Sequence, residues 1–361
     1  MTEQITHRKS LLPVKLEDLT RFVLIGREKL VAVKAAIRAI DKIGLAKDVR
    51  EQKLGEGQEL GGALLDAEAR IGELLKDLPS PAGSKIGKRG VEKTLPTGIT
   101  HKLSHQCQQL AEYPALIEQV KAEAVENEDI PTRSEVLRKI KEKKREEYRQ
   151  AIINKGKYVP ESEKWHIEVG NIITYQTKKK FDFVITDPPY SKEYLELYEI
   201  LAQRANDWLV FGGLLIVMCG QSYLDWIIEQ MSKYLKYYWT GCYLTPGQPT
   251  PMRIKQVNTT WKPILFFVRK GEKYTGKIFG DVFKSDLPEK AAHDWGQSIS
   301  GMSSIIKGVC LPGQSIFDPF LGAGATGIAA LGNGCFFTGI DINEDCINLS
   351  KGRLNDYVAK R

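Results

Sequence analysis

Apolar residues in the first 150 positions recur at intervals of three and four, the period of a helix that buries one face. The clearest runs cover residues 30–40, followed by Gly44, and residues 64–78, followed by Pro79. A glycine directly after a periodic run, or a proline beyond it, is a typical helix terminator. The pattern predicts an all-helical N-terminal domain over residues 1–150.

The later part of this domain contains three further helical patterns. Two of them cover residues 100–113 and 114–127. Thr132 and Glu135 form a capping-box sequence, which opens a third helix that is rich in lysine, arginine and glutamate. The glycine-, proline- and lysine-rich residues 79–98 are typical of an exposed loop.

From Trp165 onward, short apolar runs of the kind found in buried strands alternate with helical stretches. The predicted strands are residues 166–172, 183–186, 214–218, 239–244, 264–268, 315–317 and 336–340. The predicted helices between them include residues 192–209 and 222–235. Strands that alternate with crossover helices predict an α/β domain over residues 151–361, with a mostly parallel sheet covered on both faces.

The composition narrows the class of protein without naming a function. The chain has 361 residues, 42% of them hydrophobic, and its 52 basic and 45 acidic residues give a net charge of +7. This charge is compatible with a nucleic-acid partner but is shared by many soluble enzymes.

Residues 1–12 lack the apolar core of a signal peptide, and no run approaches the ~18 apolar residues of a membrane span. Six cysteines without a Cys-x-x-Cys pair, and only five histidines, indicate neither a zinc site nor a disulfide framework. We therefore expect a cytoplasmic protein without a metal.

A glycine-rich loop follows the predicted strand at residues 315–317. This glycine loop reads Asp-Pro-Phe-Leu-Gly-Ala-Gly-Ala-Thr over residues 318–326 and leads into a helical pattern. Gly322 and Gly324 permit a tight turn and the close approach of a ligand to the backbone. The next strand ends at Asp341, a position from which a carboxylate accepts hydrogen bonds from ribose hydroxyls. Because the loop lacks the third glycine of the dinucleotide fingerprint and any Gly-Lys-Ser/Thr sequence, it favours a different nucleoside-like cofactor.

A second loop, Asp187-Pro188-Pro189-Tyr190, follows the predicted strand at residues 183–186. An amino nitrogen on a nucleobase is a poor nucleophile because its lone pair is delocalised into the ring. The Asp187 carboxylate and the Pro188 carbonyl are acceptors that draw this lone pair out of conjugation, and the two prolines fix the backbone that holds them. Tyr190 offers a face on which a base stacks. Either loop alone is compatible with an ordinary turn, but this proline loop and the glycine loop together predict methyl transfer from S-adenosylmethionine to a nucleobase amine.

With these motifs, residues 160–361 resemble the DNA amino-methyltransferases, specifically the adenine-N6 branch. Residues 187–190 match the family's catalytic tetrapeptide, residues 318–324 its cofactor loop, and Asp341 its ribose-binding position. The resemblance implies a Rossmann-like S-adenosylmethionine-dependent methyltransferase fold. Because the proline loop precedes the glycine loop, it also implies the family's circularly permuted order, and the whole layout resembles the compact methyltransferases of phages and prophages. In that order the strand at residues 166–172 lies beside the strand that ends at Asp341.

The resemblance assigns roles to individual residues. The catalytic residues that it implies are Asp187, Pro188, Pro189 and Tyr190. The implied cofactor-binding residues are Asp318, Phe320, Gly322, Gly324, Thr326 and Asp341, together with Trp295, Gln297 and Ser298 from an upstream motif. Residues 258–271 resemble the segment ahead of the family's target-recognition region, which leaves residues 272–292 as a short recognition span. Two positions depart from the family pattern, since Gln297-Ser298 replaces a common Lys-Pro and Asn171 replaces a common acidic residue.

The reaction implied by the resemblance is direct, in-line methyl transfer to the N6 amino group of adenine, with no covalent enzyme intermediate. Methylation at cytosine carbon-5 requires a cysteine after a proline, and the chain contains no Pro-Cys dipeptide. A base inside duplex DNA does not reach such a site, so the target flips out of the helix, at a cost of a few kcal/mol. No feature of the sequence indicates an oligomeric state.

Three segments are candidate DNA contacts. Residues 98–128 fit a helix-turn-helix in which Lys102, Ser104 and Gln106 face a groove, and a plain helical bundle is the alternative. Basic residues in the loop 85–93 are placed to wrap DNA. The third candidate set is expected to flank a bound strand beside the proline loop and consists of Lys178, Lys179 and Lys180.

Other functions stay open on the sequence alone. A cytosine-N4 methyltransferase usually has serine in place of Asp187, and an enzyme that methylates protein glutamine usually has asparagine there. Methylation of RNA uses the same chemistry. A non-catalytic DNA-binding regulator on a decayed methyltransferase scaffold is a fourth possibility, against which the intact Asp187, Gly322 and Asp341 count.

Overall fold

The computed structural model of the chain describes residues 12–44, 47–77, 95, 97–160, 162–244, 249–286 and 298–360. The chain divides into two compact units, residues 1–144 and 145–361. The helix Arg133–Gly156 runs through this division and through the boundary that the sequence predicts at residue 150. Among the described residues, no helix combines the length and the apolar character needed to cross a membrane.

The described part of the first unit is helical, as the sequence predicts. Its helices are α1 (Leu16–Ile43), α2 (Lys47–Asp77), α3 (His101–Glu112), α4 (Pro114–Glu126) and the first part of α5 (Arg133–Gly156). Gly44 ends α1 in the left-handed conformation, with φ of 66°, and donates its N–H to the Ile40 carbonyl. The Thr100 hydroxyl caps α3 by accepting a hydrogen bond from the Leu103 N–H at 3.1 Å. At the start of α5 the Thr132 hydroxyl accepts from the Glu135 N–H at 3.3 Å.

Helix α2 lies at the centre of this unit, where it packs against α1, α3 and α4. Leu19 and Val23 of α1 meet Leu64 and Ile71 of α2 in one buried cluster, which Cys107 of α3 completes. Gly72 permits the close approach of α2 to α3. A Cβ atom at Gly72 would lie 2.0 Å from the carbonyl oxygen of Cys107.

The described part of the second unit is built on one eight-stranded sheet. Its strands are β1 (Trp165–Val169), β2 (Phe181–Thr186), β3 (Leu209–Met218), β4 (Leu235–Leu244), β7 (Trp261–Arg269), β8 (Val282–Lys284), β9 (Ser315–Asp318) and β10 (Phe336–Asp341). Their order in the sheet is β1-β10-β9-β2-β3-β7-β4-β8. Strands β1, β10, β9, β2 and β3 run parallel, β7 runs antiparallel to β3 and β4, and β8 is parallel to β4. The predicted mostly parallel, Rossmann-like α/β fold is confirmed.

Five α-helices that lie wholly within the described part of the second unit accompany this sheet. They are α6 (Glu196–Trp208), α7 (Leu224–Ser232), α8 (Ile299–Val309), α9 (Ala325–Gly332) and α10 (Glu344–Ala359). Two buried clusters are built on alternate side chains of the central strands, for example Phe183 and Ile185 in one and Val184 in the other. This alternation is why the central strands read as continuous apolar runs in the sequence.

Three elements were not expected from the sequence. A hairpin joins β4 to β7 and consists of β5 (Thr250–Met252) and β6 (Val257–Thr259). Strand β8 falls within the span expected for target recognition and instead extends the sheet beside β4. Strands of three residues are too short to show a period-two pattern. Helix α8 reads ISGMSSIIKGV, in which glycine, serine and isoleucine weaken the helical signal.

The order of the strands creates a crevice between β9 and β2. The crossover from β9 through α9 leads to β10 on one side, whereas the crossover from β2 through α6 leads to β3 on the other. Ligands of open α/β sheets bind at the carboxyl ends of the strands where the winding reverses in this way. Strand β1 pairs in parallel with β10 from Trp165 to Val169, as expected for the strand beside the one that ends at Asp341.

The close approach of α2 to α3 gives a stability prediction. Gly72→Ala should lower the free energy of unfolding by about 2 kcal/mol or more, because the overpacked carbonyl contact outweighs the gain of about 1 kcal/mol in helix propensity. Gly55→Ala is the matched control on the same helix, since its Cβ would meet no atom within 4 Å. We expect Gly55→Ala to stabilise the protein slightly. Urea denaturation of both variants measures the difference, and equal effects would contradict the packing argument.

Candidate active site

The proline loop and the glycine loop meet at the carboxyl ends of the neighbouring strands β2 and β9. Thr186, the last residue of β2, donates its hydroxyl to Asp318 Oδ1, at the end of β9, over 2.6 Å. Both side chains are buried. The bond therefore ties together two loops that are about 130 residues apart in sequence.

Asp318 organises the glycine loop from inside the protein. Its Oδ1 atom also accepts the Phe320 N–H at 3.0 Å, and its side chain is only 2% exposed. Burial raises the pKa of Asp318 to about 6, although hydrogen bonds from Thr186, Thr326 and the Phe320 backbone oppose the rise. The sequence assigns Asp318 and Thr326 to cofactor binding, whereas their polar atoms are engaged with each other and with the loop.

The backbone of the glycine loop takes the left-handed conformation twice. Gly322 has φ of 52° and Gly324 has φ of 76°, which only glycine adopts without strain. A Cβ at Gly324 would lie 2.8 Å from Ser350 Oγ, whereas a Cβ at Gly322 would meet no atom within 4 Å. Ser350 also donates to the Gly322 carbonyl at 2.9 Å. Gly324 is thus packed against α10, and Gly322 borders open space.

Asp341 lies at the end of β10, next to this open space. Its Oδ2 atom accepts the Gly322 N–H and its Oδ1 atom accepts the Asn343 N–H, each at 2.9 Å. The side chain is half-buried. A carboxylate has about four lone-pair positions, so the two backbone bonds hold Asp341 in place and leave it acceptor capacity.

The proline loop presents Asp187 and Tyr190 together. The Tyr190 hydroxyl donates to Asp187 Oδ1, and both side chains are half-buried. Pro188 is buried, whereas Pro189 is exposed. Burial and the neighbouring Asp187 carboxylate raise the pKa of Tyr190 well above its ordinary value, so the hydroxyl keeps its proton. The ammonium of Lys262 lies 4.9 Å from the centre of the Tyr190 ring.

A cavity of about 280 Å³ opens beside Tyr190. Its walls come from the loop after β3, the start of β7, the β5–β6 hairpin and helix α6. The lining residues that matter for its chemistry are Tyr190, Tyr198, Cys219 and Lys262. The sequence motifs identify only Tyr190 among these. Tyr198 reads as one more apolar position of an amphipathic helix, and Lys262 carries no motif that distinguishes it from other lysines.

The remaining cofactor residues predicted from the sequence are only partly described. Phe320 is half-buried in the glycine loop. Ser298 is 5% exposed and caps helix α8, where its hydroxyl accepts the Gly301 N–H at 3.4 Å and lies 2.6 Å from Ser300 Oγ. Trp295 and Gln297 lie outside the described residues. Asn171 is exposed, and its side chain accepts the Ile173 N–H at 2.9 Å.

The expectation that Lys178, Lys179 and Lys180 flank the proline loop is wrong. These lysines precede β2, whereas the proline loop follows it. A strand of six residues spans about 20 Å, so the lysines lie at the amino ends of the strands, far from the carboxyl ends where the proline loop stands. The Lys179 ammonium donates to Thr338 Oγ1 at 3.1 Å and that of Lys180 donates to the Asp207 carbonyl.

The expectation that Ser104 faces a DNA groove is also wrong. Ser104 is 7% exposed on the buried side of α3, and its hydroxyl accepts from Gln108 Nε2 at 3.3 Å. Lys102 is exposed and Gln106 is half-buried on the same helix. DNA contact by this helix stays a prediction. The basic loop at residues 85–93 lies outside the described residues.

Comparison with known protein families covers one of the two loops of this site. A family model described as a DNA methylase matches residues 277–352, which include the glycine loop and Asp341 but not the proline loop. No protein with curated function gives a significant match.

The solved structures that are similar to the chain include three DNA methyltransferases or methylases. M1.HpyAVI in complex with SAM is 24% identical, with a TM-score of 0.46 over 53% of this chain and 99% of its own. A putative DNA modification methylase from Thermus thermophilus, complexed with S-adenosyl-L-methionine, is 18% identical, with a TM-score of 0.43 over 54% and 94%. The cytosine-N4-specific PvuII DNA methyltransferase is 13% identical, with a TM-score of 0.44 over 55% and 93%. Since all three TM-scores lie below 0.5, the assignment of function rests on the site itself.

The raised pKa of Asp318 predicts how stability depends on pH. The ordinary pKa is 3.8 and the pKa in the folded protein is about 6, so the folded state binds the proton more tightly. The contribution of Asp318 to the free energy of unfolding should therefore fall by roughly 3 kcal/mol as the pH rises from about 4 to about 6. Asp318→Asn keeps a neutral side chain at every pH and should lose this component. Urea denaturation of both proteins at pH 4, 5, 6 and 7 gives the difference, and parallel curves would show that Asp318 titrates normally.

Proposed function

We propose that this chain is an S-adenosylmethionine-dependent DNA methyltransferase that modifies the N6 amino group of adenine. The observation that carries the proposal is the position of the proline loop and the glycine loop at the reversal of the sheet, joined by the bond between Thr186 and Asp318. The match of residues 277–352 to the DNA methylase family model supports the glycine-loop half of the site.

The glycine loop fits S-adenosylmethionine. The open space at Gly322 allows a ligand to approach the backbone, and Asp341 is fixed at its edge with acceptor capacity for ribose hydroxyls. Phe320 adds a half-buried aromatic ring. When bound, S-adenosylmethionine supplies an activated methyl group on a positively charged sulfur. The chain itself binds and orients the cofactor through Phe320, Gly322 and Asp341.

The proline loop holds a hydrogen-bond acceptor, Asp187, for the hydrogens of the target amino group. The bond from the Tyr190 hydroxyl holds the Asp187 carboxylate in one orientation. A carboxylate acceptor at the amino hydrogens withdraws the nitrogen lone pair from the ring, and preorganised acceptors of this kind lower a barrier without rearranging during the reaction. Neighbouring Pro188 and Pro189 restrict the backbone on which Asp187 stands.

The cavity beside Tyr190 is suited to one flipped base. Its volume of about 280 Å³ leaves room for a planar group of the size of one nucleobase. The Tyr190 ring provides a stacking face, which every base accepts. An enzyme that acts on a base in duplex DNA extrudes it into such a pocket.

The cysteine in the cavity does not support a covalent mechanism. Cys219 is fully buried. This burial and, to a smaller extent, the nearby Asp187 carboxylate raise the pKa of its thiol to about 12. A nucleophilic cysteine requires the opposite shift, since the thiolate is the reactive form. Direct transfer to an amino nitrogen needs no such group.

We propose adenine and not cytosine as the target because the first residue of the proline loop is Asp187, where cytosine-N4 methyltransferases usually have serine. The deciding experiment incubates the protein with DNA and labelled S-adenosylmethionine, digests the DNA to nucleosides and identifies them by mass spectrometry. We expect N6-methyldeoxyadenosine. N4-methyldeoxycytidine would assign the cytosine-N4 activity instead, and label in neither nucleoside would overturn the proposal.

The role of Asp187 is tested by Asp187→Ala in the same assay. We expect turnover to fall by at least about 10²–10³-fold, because the acceptor at the amino group is lost. Cofactor affinity, measured by calorimetry, should stay unchanged because Asp187 is assigned to the amine and not to the cofactor. Tyr190→Phe keeps the ring and removes only the hydroxyl, so its loss should be smaller. Turnover of Asp187→Ala near that of the wild type would contradict the assignment.

The cofactor site is tested by a matched pair of glycine substitutions. Gly322 and Gly313 both have positive φ, and a Cβ at either would meet no atom within 4 Å, but Gly313 precedes β9 at the opposite edge of the sheet. Gly322→Ala and Gly313→Ala should therefore lose similar stability, on the order of 1 kcal/mol from the left-handed backbone. Only Gly322→Ala should weaken cofactor binding, by at least about 10-fold. Equal cofactor affinities would place the cofactor elsewhere.

A further inference from the structure

The hydroxyl of Tyr198 is buried without a hydrogen-bond partner. Tyr198 lies in the first turn of α6, which the short helical turn Lys192–Tyr194 separates from the proline loop, and is 0% exposed. The described residues contain four buried side-chain polar atoms without a hydrogen-bond partner, and three of them belong to groups that form other hydrogen bonds or ion pairs. Those three atoms are Glu68 Oε2, Arg133 Nη1 and Arg204 Nε. Tyr198 has a single polar atom, and of the four residues it is the one that lines the cavity beside Tyr190.

An unpartnered buried hydroxyl destabilises a folded protein, and native structures contain few such groups. Phenylalanine would fill the same space without this penalty. The hydroxyl therefore has no evident structural purpose in the free protein. A ligand in the cavity is the partner that would satisfy it.

The surroundings of Tyr198 determine what it offers to a ligand. Burial and, to a smaller extent, the nearby Cys219 and Asp187 raise the pKa of Tyr198 well above its ordinary value. The phenol is therefore neutral and carries a proton to donate. Asp187, on the proline loop, is by contrast an acceptor when ionised. Tyr198 therefore supplies a donor inside the cavity, and Asp187 supplies an acceptor beside it, bonded to the hydroxyl of the cavity-lining Tyr190.

We infer that the Tyr198 hydroxyl donates a hydrogen bond to the ring nitrogen next to the exocyclic amine of the target base. This inference rests on the proposed function and adds a base-recognition residue to it. In adenine, as in cytosine, the amino group has one ring nitrogen as a neighbour, and that nitrogen is an acceptor. Asp187 accepts from the amine and Tyr198 donates to the nitrogen, so the pair matches both groups of this edge. Tyr198 positions the base and takes no part in methyl transfer.

The first test compares stability and kinetics in Tyr198→Phe. The variant should unfold at the same or a higher temperature than the wild type, because no bond is lost in the free protein. Its KM for DNA should rise on the order of 10-fold, while kcat changes less than about 2-fold. Tyr274→Phe is the control, since the Tyr274 hydroxyl donates to the Val309 carbonyl at 3.3 Å outside the cavity. Tyr274→Phe should lower the unfolding temperature and leave KM unchanged. A loss of stability in Tyr198→Phe with unchanged KM would overturn the inference.

The second test replaces the ring nitrogen of the base. Oligonucleotides carry the methylated site, found first by mapping the modified DNA, with either adenine or 1-deazaadenine at the target. The wild type should discriminate against 1-deazaadenine on the order of 10-fold more strongly than Tyr198→Phe does. Electronic effects of the deaza substitution on the amine act on both proteins and cancel in the comparison. If the methylated base is cytosine, 3-deazacytosine takes the same place.

The outcomes separate this inference from the proposed function. Equal discrimination by both proteins, with DNA methylated by the wild type, would show that Tyr198 does not contact the ring nitrogen and would leave the methyltransferase assignment intact. Failure of the wild type to methylate DNA at all would overturn the function and the inference together. A discrimination that disappears in Tyr198→Phe supports both.

Discussion

The second unit depends on a buried hydrogen bond between the ends of two neighbouring strands. Thr186 and Asp318 lie where the sheet reverses its winding, and their side chains meet at 2.6 Å out of contact with water. Burying a carboxylate is unfavourable unless donors converge on it, and Asp318 receives donors from the loop that it organises. The same bond therefore stabilises the glycine loop and fixes its position relative to the proline loop. A displacement of either strand would break it.

The polar groups of the site divide into those that the protein uses internally and those that remain available. Asp318 and Thr326 are buried and satisfy each other, so they shape the loop. Gly322 and Asp341 border open space, and the backbone bonds to Asp341 hold its carboxylate ready for further donors. Rigid placement before binding is what makes such acceptors effective, because a ligand then has little reorganisation to induce.

The cavity shows the opposite arrangement, in which a group is left unsatisfied in the free protein. Tyr198 keeps a hydroxyl where phenylalanine would be more stable, and Tyr190 already has Asp187 as its partner. Functional sites often retain such locally unfavourable choices, because binding and stability place different demands on the same residue.

The sequence by itself determined the helices of the N-terminal unit, seven strands of the sheet and both loops, because periodicity and strand-ending polar residues are local properties of the chain. The predicted strand also separates Lys178 from Asp187 along the chain, so their positions at opposite ends of β2 follow from the sequence itself. Only the tertiary structure decided that Ser104 is buried, since the face of a polar helix depends on what packs against it. The cavity could not be read from the sequence, because its walls come from segments far apart in the chain that only the pairing of β3 with β7 brings together.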